Sequence, residues 1–492
     1  MEIPTTVTNQ KLLLFAISIA SFMTAVDCSI VNVALPTIAA SFNVSTGLVS
    51  WVSTIYLLVL TCCLMIFGKL ADRIGFRRIF LGGFLLFSLG SLFCALSPSL
   101  FLLVGSRALQ GVGGAMLVGI NTAMVTTFIP SASRAKAIGF VVAMSSLGIT
   151  IGPFLGGMLT GMISWHWIFL VTVPVGIFAC IISSFVVPFI SPRENSAAFD
   201  TWGALYLFMV LASLIYGLNM GVSLGFTSPL ILTAFGLCIA GAVLFVRQEC
   251  TAPDPLLDMQ LYRKRDFLFT NIGIILMMSA YFGSSFLLPF FFEYVQGMPT
   301  SISGVYLTVP SVTLMIAGYT SGTLYGRFGP RKLCMVASAL YILAFLLFST
   351  FGMETSNVVI ITALAFFGFG LGLYFSSNTS EIMCLAPREK QGMVSSLIST
   401  ERNAGATVGI VVFELLFIHA LMILNSREGL GLTEGVLISQ PKLVGPLLAS
   451  AFDFAFSVGA VVAVLAFILA VFTPNPVKAV DGEDDEFCMT AE

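Results

Sequence analysis

The chain has 492 residues, 58% of them hydrophobic and only 9% charged, with 45 Phe and a mean hydropathy of +1.01. A soluble protein keeps about a quarter of its residues charged, so this composition excludes a water-covered globule and predicts a polytopic membrane protein embedded in a lipid bilayer. The near balance of 22 basic and 24 acidic residues excludes a nucleic-acid-binding face, and two histidines argue against a zinc or haem enzyme.

Cutting the sequence at charged, Pro-rich and Gly-rich breaks predicts fourteen spanning helices, near 11–36, 48–68, 79–97, 100–125, 137–161, 167–189, 201–220, 229–247, 267–293, 302–325, 332–352, 357–381, 392–422 and 447–472. Each approaches the ~20 apolar residues that cross ~30 Å of hydrocarbon. The first run carries Asp27 and Asn32 and reads as a spanning helix, not a secretory signal. With the N-terminus inside, all but four of the 22 Lys and Arg fall on the cytoplasmic side. Arg427 and Lys442 lie outside, and Arg107 and Arg402 lie within helices. Both termini are therefore expected in the cytoplasm.

The polar stretches 190–200 and 248–266 flank one pair of helices, with six spans on either side. The expected domains are an N-terminal six-helix bundle (1–190), a linker holding two extra spans (191–265), a C-terminal six-helix bundle (266–472) and an acidic tail (473–492). Residues 423–446 form the longest external loop. The ten cysteines show no C-x-x-C spacing and read as small buried hydrophobes.

The segment Gly68-Lys69-Leu70-Ala71-Asp72-Arg73-Ile74-Gly75-Phe76-Arg77-Arg78 follows the second span. A positive-inside anchor explains its arginines but not its aspartate and glycines. A second copy, Gly322 to Lys332, follows the tenth span, with Gly326 where the first has Asp72. A loop that recurs at the equivalent place in each half is the mark of a duplicated transporter. Helix 1 carries Asp27-Cys28-Ser29-Ile30-Val31-Asn32-Val33-Ala34-Leu35-Pro36. Helix 4 carries Arg107-Ala108-Leu109-Gln110-Gly111-Val112-Gly113-Gly114-Ala115, and helix 5 carries Gly148-Ile149-Thr150-Ile151-Gly152-Pro153-Phe154-Leu155-Gly156-Gly157. Asp200-Thr201-Trp202-Gly203 and Pro255-Leu256-Leu257-Asp258 bracket the extra pair.

In these motifs, in this order and on these helices, the chain resembles the major facilitator superfamily, and within it the fourteen-helix drug:proton antiporters, over residues 20–472. The resemblance implies an all-α fold of two six-helix bundles plus two central helices. It implies a plasma-membrane exporter of amphipathic, cationic compounds, driven by the proton gradient and working without a cofactor. A monomer that is not an enzyme is expected, and a dedicated exporter of one metabolite, antibiotic or siderophore stays open as the alternative. Gating is assigned by resemblance to Gly68, Asp72, Arg73 and Arg77, with Asp72 docking near Gly392, and to Gly148, Gly152, Pro153 and Gly156. Departures from the family pattern are His166, Thr172 and Glu293, which bear on substrate preference.

Physical chemistry bears on several of these positions. Gly148, Gly152 and Gly156 recur every four residues, making a flat strip where another helix approaches closely, and Pro153 removes one backbone hydrogen bond. The strip reads either as a seam on which the two halves rock or as ordinary tight packing. Arg107 sits within the bilayer and must face a partner or a wet cavity; the resemblance gives it a role in proton coupling. An isolated carboxylate at Asp27 is costly in hydrocarbon, which suits a proton site, or a helix-packing acid bonded to a neighbour. Asn32 shares its motif. On helix 13, Ser396, Thr400, Asn403 and Thr407 all fall within about 40° of the direction of Glu414, and this stripe is expected to aim Glu414 into the cavity. Glu401 and Arg402 point elsewhere and read as serving either the cytoplasmic end or an interhelix contact. Asp453, about seven residues into helix 14, is a further candidate near the outer interface. Phe290, Phe291 and Phe292 read as lipid-facing or core, with Tyr56 and Tyr374 as possible pocket walls.

Overall fold

A computed structural model describes residues 10–129, 131–188, 200–251, 259–385, 391–427 and 441–472. All regular elements among the described residues are helical, and fourteen of these helices are long and apolar enough to cross a membrane. These are α1 (Gln10–Phe42), α2 (Trp51–Ile74, led by the short helix Thr46–Val49), α3 (Phe76–Ala95), α4 (Leu100–Phe128) and α5 (Ser131–Met162). α6 (Thr172–Val186) is led by the short helix His166–Leu170, the two together making one span, and the central pair is α7 (Thr201–Leu224) and α8 (Pro229–Thr251). The short helix Met259–Tyr262 leads into α9 (Arg265–Phe290), which ends in a π-helical turn, Phe291–Val295. One run, Thr300–Phe348, is broken at Gly329 and supplies α10 (span Thr300–Ser321) and α11 (span Arg327–Phe348). α12 (Asn357–Leu385), α13 (Gln391–Arg427) and α14 (Pro441–Val471) complete the set.

Local chemistry accounts for where these helices begin and end. Ser99 starts α4, its hydroxyl accepting from the Leu102 N–H at 3.4 Å. Asp200 starts α7 in the same way, its Oδ1 accepting from the Gly203 N–H at 2.8 Å, which gives the Asp-Thr-Trp-Gly motif its physical sense. The loop between α2 and α3 turns on Gly75 at φ 93°, and its copy between α10 and α11 turns on Gly329 at φ 75°. Both angles favour glycine, so the two copies of the loop share their backbone turn as well as their sequence.

The chain divides into two compact units. The first reaches Val210 and takes in Pro299–Thr308; the second holds Leu211–Thr251, the residues up to Met298, and Val309 onward. Within them α1 and α9 are the most enclosed helices, each 72% buried across its span, while α7 and α8 are only 28% and 22% buried. The central pair is apolar on its outer surface, with Trp202, Leu205, Leu230, Leu232 and Ile239 exposed, a surface suited to lipid.

The second unit is built on aromatics. Phe367 is stacked between Tyr281 and Tyr341, with ring centroids 5.1 and 5.0 Å apart, and Phe291 packs against Phe351 and Phe452. Phe290, Phe291 and Phe292 are thus core residues, each at most 1% exposed. Of the cysteines read as small buried hydrophobes, Cys62, Cys94 and Cys334 are buried, while Cys250 is exposed.

Candidate functional site

The first unit closes around one buried ion pair. Arg107 on α4 and Asp27 on α1 are 1% and 0% exposed, and Arg107 Nη1 donates to Asp27 Oδ2 at 2.6 Å. The same Nη1 donates to Gln110 Oε1 at 2.6 Å, and Arg107 Nε donates to the Val52 carbonyl at 2.9 Å. Gln110 Nε2 in turn donates to Asp27 Oδ1 at 2.8 Å and to Ser91 Oγ at 2.7 Å. Thr172 Oγ1 donates to that Ser91 hydroxyl at 3.0 Å. The Tyr56 ring lies 4.2 Å from the guanidinium carbon and Phe169 5.7 Å from it, a cation–π arrangement.

Five helices therefore meet at one charge pair in which both carboxylate oxygens are held. Asp27 is not the isolated acid that its sequence context suggests. It is bonded across 80 residues to the one charge on α4, which finds there the partner that its depth demands. Tyr56 packs on the arginine instead of lining an open pocket, and the unusual Thr172 belongs to the same network. Asn32, a turn and a half further along α1, accepts from Ser53 Oγ at 3.1 Å and ties α1 to α2.

The glycine strip on α5 faces α1 within the same unit. A methyl group at Gly148 would lie 2.6 Å from the Phe22 carbonyl oxygen, and one at Gly156 2.7 Å from that of Ile30; at Gly152 it would overlap Ser29 Oγ. The helix approaching the strip is thus α1, which carries Asp27, and the contact is tight packing within the first unit. Pro153 lies inside α5. Ser29 Oγ donates to the Gly148 carbonyl at 3.4 Å.

The second unit repeats this contact, at glycines that the sequence motifs do not include. Gly405 and Gly409 on α13 meet α9, where added methyl groups would lie 2.9 Å from the Ile275 carbonyl oxygen and against that of Ser279. Ser279 Oγ donates to the Gly405 carbonyl at 2.9 Å. The signal was present as the four-residue spacing of Gly405 and Gly409.

On α13, Thr400, Asn403, Thr407 and Glu414 are all buried, between 1% and 8% exposed; the Ser396 side chain lies outside the described residues. Asn403 Nδ2 donates to the Ser399 carbonyl and Thr407 Oγ1 to that of Asn403, at 2.9 and 2.7 Å. Part of the stripe thus serves its own helix. Glu414 Oε2 accepts from Asn219 Nδ2 on α7 at 3.3 Å, and the two residues line a small pocket with Val411, Leu415 and Ile418. Glu401 Oε1 accepts from the Tyr262 hydroxyl at 2.7 Å, an interhelix contact. Burial, with Glu401 beside it, pushes the Tyr262 phenol up, which keeps it a donor. α14 begins at Pro441, and its membrane-crossing span begins at Gly445, so Asp453 lies in the first half of that span. It is half-buried, and its Oδ1 is buried with no hydrogen-bond partner among the described residues.

The first part of the Gly68–Arg78 segment is helical, inside α2; there Gly68 lies in ordinary contact with the Gly119 carbonyl of α4, 3.5 Å from where a methyl group would stand. Arg77 Nη2 donates to the Ser184 carbonyl at 2.6 Å, joining the start of α3 to the end of α6. The side chains of Asp72 and Arg73, the surroundings of Gly392 and the Pro-Leu-Leu-Asp motif lie outside the described residues.

The sequence profile of the Major Facilitator Superfamily matches residues 17–410. The chain is 32% identical over 405 residues to multidrug resistance protein Stp of Mycobacterium tuberculosis, covering 82% of this chain and 75% of that protein. It is 29% identical over 417 residues to riboflavin transporter RibZ of Clostridioides difficile, covering 83% and 89%. Among solved structures, a bacterial homolog of the human lysosomal transporter Spinster, inward-facing and unoccupied, superposes with a TM-score of 0.65 at 17% identity, covering 94% of this chain and 97% of the other. With fourteen apolar helices, a matching fold and a profile match across most of its length, the chain belongs to the major facilitator superfamily, as a multi-pass transporter of the plasma membrane.

Proposed function

We propose that the protein is a proton-coupled antiporter that exports amphipathic, cationic compounds by alternating access, with both termini in the cytoplasm. The observation that carries this reading is the Asp27–Arg107 pair, a carboxylate and a guanidinium buried in the membrane-spanning region and held by five helices. Such a pair is expensive to desolvate and contributes little net stability, which supports a working role. A proton arriving at Asp27 cancels one charge and releases Arg107 from it, and Gln110 and Tyr56 are placed to hold the arginine in either state.

The relative named a multidrug resistance protein supports export of drug-like compounds. In this reading Asp27, Arg107, Asn32, Glu414 and Asp453 handle protons and substrate. Gly68, Asp72, Arg73 and Arg77 serve the gate, and Gly148, Gly152, Pro153 and Gly156 let α5 and α1 move as one body. One proton crossing 100 mV releases about 2.3 kcal/mol and one pH unit about 1.4 kcal/mol, which together support about a 500-fold gradient of a neutral substrate. Exchange of one proton for one monocation moves no net charge, so only the pH term acts and supports about tenfold.

A second reading, export of a single metabolite, is favoured by the similarity to a protein named a riboflavin transporter. Transport of ethidium, propidium and riboflavin into inside-out vesicles separates the two. Uptake of both dyes supports the first, and uptake of riboflavin alone supports the second.

A further inference from the structure

α7 is among the least enclosed helices of the protein, 28% buried across its span. Its residue Asn219 is nevertheless only 8% exposed, and its amide is turned inward onto the Glu414 carboxylate of α13, itself 2% exposed. A polar amide on a largely lipid-facing helix serves no apolar core, and its burial is offset by the polar partner it meets. The chain leaving the central pair then meets α13 a second time, where the Tyr262 hydroxyl donates to Glu401 at 2.7 Å. Glu401 and Glu414 are separated by about 20 Å of helix and by about 140° around its axis. A helix held on two sides at two heights is fixed in rotation.

We infer that α7 and the short helix Met259–Tyr262 brace α13, in which Asn219 is the positioning residue that sets the Glu414 carboxylate for cationic substrates and Tyr262 fixes the helix below it. The inference rests on the reading that Glu414 selects cations. The donor is a neutral N–H that favours the ionised acceptor without cancelling its charge, so Glu414 keeps its attraction for a cation while losing its freedom to swing. Around the pair, Val411, Leu415 and Ile418 give the pocket apolar walls, a lining suited to an amphipathic ion.

The test is a double-mutant cycle on dye transport in inside-out vesicles, with propidium as the dication and Nile red as the neutral probe. Asn219→Leu is expected to raise the KM for propidium about tenfold, the effect of losing one hydrogen bond to a charged group, with a much smaller change for Nile red and in kcat. In the Glu414→Gln background the same substitution is expected to add less than about twofold. Asn219→Ser, a milder change that keeps an O–H donor, is expected to fall between parent and Asn219→Leu, and Tyr262→Phe to raise the propidium KM in the same sense. If Glu414→Gln alone fails to discriminate propidium from Nile red, or propidium is not transported, the cation reading falls and the brace falls with it. If Glu414→Gln discriminates but Asn219→Leu is silent, or adds its full effect to Glu414→Gln, Asn219 is a structural tether and the inference is overturned while the cation reading stands.

Discussion

Replacing Asp27 with Asn keeps the shape of the side chain and removes its charge, which leaves a buried guanidinium without its counter-ion. Arg107 is 1% exposed and loses the carboxylate it is paired with, keeping hydrogen bonds to Gln110 Oε1 and the Val52 carbonyl and the face of Tyr56. Leaving one member of a buried pair uncompensated costs about 3–5 kcal/mol, part of which these acceptors offset. Asp27→Asn is therefore expected to lower stability by about 2–4 kcal/mol and to abolish pH-driven export. The double variant Asp27→Asn/Arg107→Gln removes the orphaned charge as well, and its stability is expected to return to within about 1 kcal/mol of the parent while transport stays lost. Thermal unfolding of the purified protein in detergent measures the first quantity and vesicle transport the second. Equal destabilisation by the single and double variants would show that the loss does not come from an uncompensated buried guanidinium, and the reasoning would fail.

Gly148→Ala and Gly156→Ala should each destabilise the protein by about 1–3 kcal/mol, because the added methyl meets backbone oxygen of α1 and this outweighs the helix propensity gained; an unchanged unfolding midpoint would contradict the close contact. Asp200→Ala removes the side-chain acceptor at the start of α7 and is expected to cost about 1 kcal/mol, with an unaltered midpoint again counting against the assignment. Glu414→Gln should raise the KM most for dications, less for monocations and hardly for neutral dyes, since a carboxylate in a low-dielectric pocket attracts in proportion to charge. Equal losses across the three classes would point to folding or proton handling instead.

The helices were legible because hydrocarbon imposes a length and an apolar composition on every span, and the repeated loop and motif order carried the family. What the sequence left hidden is pairing across helices. Asp27 and Arg107 each stand out as costly charges, but no spacing along one chain reveals that they satisfy each other. Gln110, which bridges them, was readable as a polar residue three positions after Arg107 and therefore on the same face. The direction of the Gly148 strip was not readable, since a small-residue face states that a helix comes close without stating which. Asn219 was one amide in an apolar helix, and its importance depends on Glu414, which lies 195 residues away.

Proton release from inside-out vesicles is the most direct test of proton-coupled export. When ethidium is added to vesicles with an acidic lumen, the account predicts that the lumen becomes more alkaline as the dye enters, and that Asp27→Asn vesicles show neither change. Dye accumulation without any luminal pH change, or an undiminished response in Asp27→Asn, would contradict it.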